Sequence, residues 1–399
     1  MEWTTVRVYI LAGNQQMHFK SKLKKISGVC KHFIGFQGTR TSLKLIYGTV
    51  INMCLMNALA GVKVMQLVTS GEEEIMSFTY SHAIVGFCGV SLAVMKLILY
   101  FKNRREVHKL DSVICKILPF DSSDMFNEKE EEIYFAVIVL IWSSAAAIIF
   151  AILNSNFLYL NHEDTQFLYP IYLPKFVENN SLGFYTFYGL QVASCLQVVA
   201  INGATLASFA HVSNVLCVQN KVLGIEICNL TADRSRAMSA HCKLEKIKEY
   251  VQFHLHLMDI VSQLETVFGE IILWEFFGNQ CMTCLLTYQS IMQANQGRIL
   301  NSIQTICTIP ALLMTSFMYF LLGTKISEAS EELRTLVYFS NWYEQPLWFQ
   351  KFLLIMMKRM QKVLTFNAVY IIPVTLNSFL KALQAGFSYF NFLKAMTSR

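Results

Sequence analysis

The chain has 399 residues, 54% of them hydrophobic and only 15% charged, with a mean hydropathy of +0.40. A soluble domain carries about 25% charged residues, so the composition excludes an ordinary soluble protein and points to the membrane. The formal net charge of +6 is informative through its placement between apolar segments, and no nucleic-acid partner is indicated.

Residues 1–44 are basic and lack an apolar core followed by a small-residue cleavage site, so they read as a cytoplasmic segment rather than a signal peptide. A spanning helix needs about 20 mostly apolar residues. Seven segments qualify: Leu45–Leu67, Met76–Tyr100, Ile133–Leu153, Phe184–Phe209, Phe268–Tyr288, Ile303–Gly323 and Ala368–Leu393. The expected fold is an all-α membrane protein of seven transmembrane helices, six of them within 45–323. Between the fourth and fifth, Leu244, Ile247, Val251, Leu255, Met258, Val261 and Leu264 recur at steps of three or four. That spacing predicts cytoplasmic helical extensions across 211–267, running into the fifth crossing. In 324–367 the apolar run Leu347–Met357 is too short to span and precedes KRMQK, which predicts an amphipathic or protein-buried helix on the cytoplasmic side. Residues 368–393 form the last crossing and 394–399 a short tail.

Lys and Arg between the spans set the orientation. With the N-terminus cytoplasmic, the inside regions hold 26 and the outside regions 4. The C-terminus is then extracellular. Of two N-x-S/T sites, Asn179 falls outside, where it can be glycosylated, and Asn229 inside. This orientation is opposite to that of G-protein-coupled receptors. The chain also lacks D-R-Y after the third crossing and N-P-x-x-Y in the seventh.

No enzyme constellation stands out. There is no H-E-x-x-H, no G-x-S-x-G and no phosphate-binding glycine loop, so neither an enzyme nor a cofactor or metal site is expected. CMTC at Cys281–Cys284 lacks a second pair, and the scattered cysteines read as small buried hydrophobes. His254 and His256 are two apart, diverge on a helix, and read as solvated. Ser143 and Ser144 read as local hydrogen bonding or close helix packing.

In the last crossing Asn377, Lys381, Gln384, Ser388 and Asn391 follow at steps of four, three, four and three. They lie along one helical face, with Leu376, Phe379, Leu383 and Phe390 away from it. An unpaired amide in lipid costs several kcal/mol, so the stripe faces water or other protein. A water-filled channel and helix–helix packing both remain open at this point.

The C-terminal region resembles that of insect odorant receptors. The likeness runs through Gly323, the acidic helix around Glu328–Glu332, Ser340, Trp342, Tyr343 and Lys358–Arg359. Its most specific part is Phe379 with Ser388-Tyr389-Phe390. The T-Y-x-x-x-x-x-Q-F ending of gustatory receptors is missing. The resemblance implies an odour-binding subunit of a ligand-gated, non-selective cation channel in olfactory neuron membranes, forming heterotetramers with co-receptor subunits. A gustatory-type channel and a metabotropic seven-helix receptor are the alternatives. It implies a pore lined by Asn377, Lys381, Gln384, Ser388 and Asn391, with an outer constriction at Phe392 and Met396 one turn later. It implies that Trp342, Tyr343, Trp348 and Phe349 belong to a subunit anchor, where lipid headgroups are the competing partner. It places a small volatile ligand among the outer halves of crossings two, three, four and six. The candidates are Tyr80, Ala83 and Ile84; Ala147, Phe150 and Ala151; Phe184, Tyr188, Gln191 and Val192; and Ile306, Ile309 and Leu312.

Overall fold

The computed structural model describes residues 40–69, 78–107, 109–110, 123–160, 167–173, 181–232, 240–369 and 371–397, with residue 25. Side chains at 40–46, 78–81, 123–129, 154–160, 181, 240, 389–390 and 392–397 lie outside that description. Helices dominate: α1 (Arg40–Thr69), α2 (Phe78–Lys102), α3 (Ser123–Leu160), α4 (Ser181–Ala232), α5 (Ala240–Asn295), α6 (Ile299–Phe339), α7 (Leu347–Met360) and α8 (Leu376–Thr397).

Two helices outrun any bilayer. At 1.5 Å per residue α4, with 52 residues, and α5, with 56, are each about 80 Å long. The hydrocarbon layer is about 30 Å thick. Residues 211–232 and 240–267 are helical throughout. The core sits where these helices meet α6. Phe209 of α4 packs its ring 5.5 Å from Phe268 of α5, 5.6 Å from Tyr319 of α6 and 5.2 Å from Phe366. All four rings are buried.

Among the described residues, α1, α2, α3, α4 and α6 are long and apolar enough to cross a membrane. The helices carrying the predicted fifth and seventh crossings are more polar: Glu270, Glu275, Asn279 and Gln280 fall in α5, and Asn377, Lys381, Gln384 and Asn391 in α8.

The predicted seventh crossing also starts too early. Asn367–Ala368 (β1) pairs antiparallel with Ile372–Pro373 (β2), with Asn367 opposite Pro373. Val369 turns the chain at φ +52°. Pro373 has no N–H to give a helix, so this apolar stretch reverses before α8 begins. The hairpin is tied to two helices. Asn367 donates its backbone N–H and its amide to Glu265 Oε1 of α5, at 2.7 and 3.1 Å. The Leu376 N–H donates to Thr324 Oγ1 of α6 at 2.9 Å. Gly323 makes the second approach possible: a Cβ there would lie 2.2 Å from the Val374 carbonyl oxygen.

Helix α7 is amphipathic as expected. Phe349, Leu353, Met356 and Met360 are buried at steps of four, three and four, and Lys358 and Arg359 occupy its last turn.

Candidate functional site

The segment 167–173 between α3 and α4 folds into the bundle instead of lying over it. Gln191 of α4 holds it twice: its Oε1 accepts from the Leu168 N–H at 3.0 Å, and its Nε2 donates to the Tyr169 carbonyl at 2.6 Å. The Tyr172 N–H donates to the Leu59 carbonyl of α1 at 3.1 Å. Tyr169 and Ile171 are buried. Tyr169 crosses α2 at Gly86, where an added Cβ would come within 2.6 Å of the tyrosine's own Cβ. Phe167 packs 4.8 Å from Phe184, which stacks on Tyr188 at 6.2 Å.

Part of the predicted ligand set therefore gathers around this strap: Phe184, Tyr188 and Gln191 on α4, facing α2 where Ala83 is buried and Ile84 half-buried. Val192 is half-buried as well. Both ends of the Gln191 amide are engaged by strap backbone, so this side chain holds the strap in place. Tyr80 lies in α2, with its side chain outside the described residues. On α3, Ala147 and Ala151 are half-buried and Phe150 is exposed. On α6, Ile306 is exposed, Ile309 is half-buried, and the half-buried Leu312 accepts a 3.4 Å bond from Asn279 at its carbonyl. No hydrogen bond or ring contact among the described residues joins these α3 and α6 positions to the strap. The strap itself had one legible signal, the apolar run FLYPIYL between two crossings.

A cavity of about 280 Å³ lies elsewhere, between Val50, Met53 and Cys54 of α1 and Val94, Leu97, Ile98 and Phe101 of α2.

On α8 the whole polar stripe is exposed: Asn377, Lys381, Gln384, Ser388 and Asn391. The opposite side is seated in the bundle. Phe379 is buried, with Phe317 at 5.8 Å and Phe320 at 5.7 Å. Lys381 has no ion pair among the described residues. Leu380 and Phe387 share the exposed side. Phe392 and Met396 lie in the helix with their side chains outside the described residues, and Asn179 lies outside them altogether.

Of the four anchor candidates, Tyr343 is exposed, while Trp342 and Trp348 are half-buried. Phe349 is corrected from an outward contact to an inward one: it is fully buried in the chain's own core. The outward face beside it presents Phe339, Leu347 and Ile355, with exposures of 77%, 75% and 70%. His254 is not solvated but buried on α5. Burial first, and the nearby Arg359 guanidinium second, hold its imidazole below the ordinary histidine value. Ser143 and Ser144 do bond locally, to the Leu140 carbonyl at 2.9 and 2.8 Å.

The sequence reading missed a buried ion pair. Lys96 of α2 meets Glu275 of α5, both almost fully enclosed. The signal was present as one lysine, Lys96, inside the second predicted crossing and two glutamates, Glu270 and Glu275, inside the fifth.

Comparison with known proteins accounts for this architecture. The family model described as 7tm Odorant receptor matches residues 81–387. Odorant receptor 85f of Drosophila melanogaster is 21% identical over 304 residues, 74% of this chain and 76% of that protein. The odorant receptor coreceptor of Anopheles gambiae is 24% identical over 144 residues, 36% of this chain and 30% of that protein. Coverage of the first curated relatives ranges from 36% to 76% of their own length. The insect olfactory receptor OR5 from Machilis hrabei superposes with a TM-score of 0.76 at 13% identity, over 95% of this chain and 98% of that one. Its complex with eugenol gives 0.78 at 12%, over 96% and 99%.

Proposed function

The chain belongs to the 7tm odorant receptor family, and from that premise we propose that it is the odour-binding subunit of a ligand-gated cation channel. It is a multi-pass membrane protein of a receptor family rather than an enzyme family. In this reading the N-terminus is cytoplasmic, the C-terminus extracellular, and α8 lines a central pore shared with co-receptor subunits in a heterotetramer of the olfactory neuron plasma membrane. The observation that carries the proposal is the arrangement of α8. Five polar side chains at helical spacing all point away from their own bundle, while Phe379 points into it. Polar groups at membrane depth belong in protein or in a water-filled cavity, not in lipid.

The ligand is a small volatile molecule held between α2 and α4 beside the strap, where Phe184 and Tyr188 supply aromatic walls. That OR5 was solved with eugenol supports a ligand of this class. Phe392 and Met396 form the outer constriction, which apolar side chains hold shut by dewetting. Tyr343, Trp342 and the exposed edge of α7 meet neighbouring subunits, while Phe349 fixes α7 from within. The ligand opens the pore only to the extent that it binds the open arrangement more tightly than the closed one.

The test is co-expression with and without a co-receptor, an odour panel, and recording from excised patches without nucleotides. Odour-evoked cation current that requires both chains supports the proposal. A response abolished by blocking G proteins, or no response with any partner, refutes it.

A further inference from the structure

Among the described residues the apolar crossings conceal an ionic cluster that touches five helices. Lys96 of α2 pairs with Glu275 of α5, with side chains 3% and 4% exposed. Lys96 Nζ also donates to Asn202 Oδ1 of α4 at 2.6 Å. The other oxygen of Glu275 accepts from Asn279 Nδ2 at 3.0 Å, and the same amide donates to Ser316 Oγ of α6 at 2.9 Å. One residue further along α5, Gln280 reaches the last helix. Its Oε1 lies 3.1 Å from where a Cβ on Gly386 would stand. Gly386 lies two turns beyond Phe379, on the side of α8 that is seated in the bundle.

A buried ion pair is a poor device for stability alone, because desolvation offsets most of its attraction, whereas removing one partner strands a charge. Intramembrane charges are accordingly functional by default. This pair joins α2 and α4, the helices that hold the strap, to α5 and α6, the helices that seat α8. We propose that Lys96 and Glu275 are positioning residues for gating: they lock the α2–α4 side to the α5–α6 side, so that ligand binding moves the last helix. This rests on the channel reading above. The structure shows the pair made; in this proposal the other gating state breaks it, and two discrete arrangements are what a population shift requires. Gln280 and Gly386 form the contact through which α5 bears on the last helix, from the side opposite the polar stripe.

The test uses the full chain with its co-receptor, at matched surface abundance. The variants are Lys96→Met, Glu275→Gln, the double neutral Lys96→Met/Glu275→Gln and the exchange Lys96→Glu/Glu275→Lys. Each single change should shift the odour concentration giving half-maximal current by about tenfold or alter ligand-free current comparably, and the two should be non-additive in the double. The exchange should return the response towards wild type. A second readout separates gating from folding: the modification rate of Gln384→Cys by a water-borne thiol reagent, with and without odour. It should change about tenfold between the wild-type background and the double neutral. A double neutral variant that reaches the surface with unchanged response and unchanged Gln384→Cys reactivity overturns the proposal. So does failure of every variant to reach the surface, which would make the pair a folding element only. A wild-type chain without odour-evoked current would instead refute the channel reading.

Discussion

Replacing Gly323 with alanine sets two effects against each other. Inside a helix, alanine is favoured over glycine by roughly 0.5–1 kcal/mol. Gly323 is inside α6, so propensity alone predicts stabilisation. Its missing Cβ, however, would lie 2.2 Å from the Val374 carbonyl oxygen, and real Cβ contacts under 3.0 Å are essentially never seen. About 1 Å must open, and overpacking of this kind costs about 1–3 kcal/mol. The obstructing atom is backbone, so the cost falls at the upper end. The net is a loss of about 2 kcal/mol, a factor of about 30 in the ratio of docked to undocked hairpin. Hydrogen exchange reads this locally. The Leu376 and Phe379 amides, bonded to Thr324 Oγ1 and the Thr375 carbonyl, should lose protection about 30-fold if they exchange through local opening. Truncating Val374 to alanine should not rescue them, because the carbonyl remains. Gly48→Ala, at a position with nothing within 4 Å, should leave them unchanged. Equal or slower exchange in Gly323→Ala would refute the reasoning.

Three further outcomes are expected. Gln191→Leu strands the Leu168 N–H and the Tyr169 carbonyl, at about 1–3 kcal/mol per unsatisfied group, so the strap should become cleavable by external protease and odour potency should fall; an intact strap with unchanged potency would contradict this. Phe349→Ala should destabilise the docking of α7 by about 3–5 kcal/mol, read as exposure of Met356 and Met360 to oxidation; protected methionines would count against it. His254 has a folded pKa below its ordinary value of 6.5, so its contribution to stability is complete above that value and is lost as pH falls through it towards the folded pKa. Acidifying the solution around α5 and α7 from about pH 7.5 to about 5.5 should speed exchange of their amides, and His254→Phe should abolish that dependence.

The long helices were legible because twenty-residue apolar runs and three-four periodicity are direct consequences of bilayer thickness and helix pitch. The stripe on α8 was legible for the same reason: Asn377 to Asn391 keep helical spacing whatever their neighbours are. The hairpin before α8 was not. Val369, Ile371, Ile372 and Val374 are as apolar as any spanning residues, and hydropathy does not register that Pro373 pairs with Asn367 instead of entering a helix. Gln191 was found as a polar group on the fourth crossing, but its partner is backbone from a segment 22 and 23 residues away, which spacing cannot reveal. Lys96 and Glu275 were invisible to an orientation count that weighs only basic residues between crossings. His254 shows the limit of helical-wheel reasoning on a helix packed on more than one side: α7 packs against α5, and Arg359 comes with it.

The central claim is that the α8 stripe borders water shared between subunits. Cysteine placed singly at Asn377, Gln384, Ser388 and Asn391, co-expressed with the co-receptor, is exposed to a water-borne charged thiol reagent while odour-evoked current is recorded. The account predicts modification and block at the stripe positions in the presence of odour, and inertness at Phe379 and Leu383. Uniform inertness along the stripe, or equal reactivity on both faces of the helix, would contradict it.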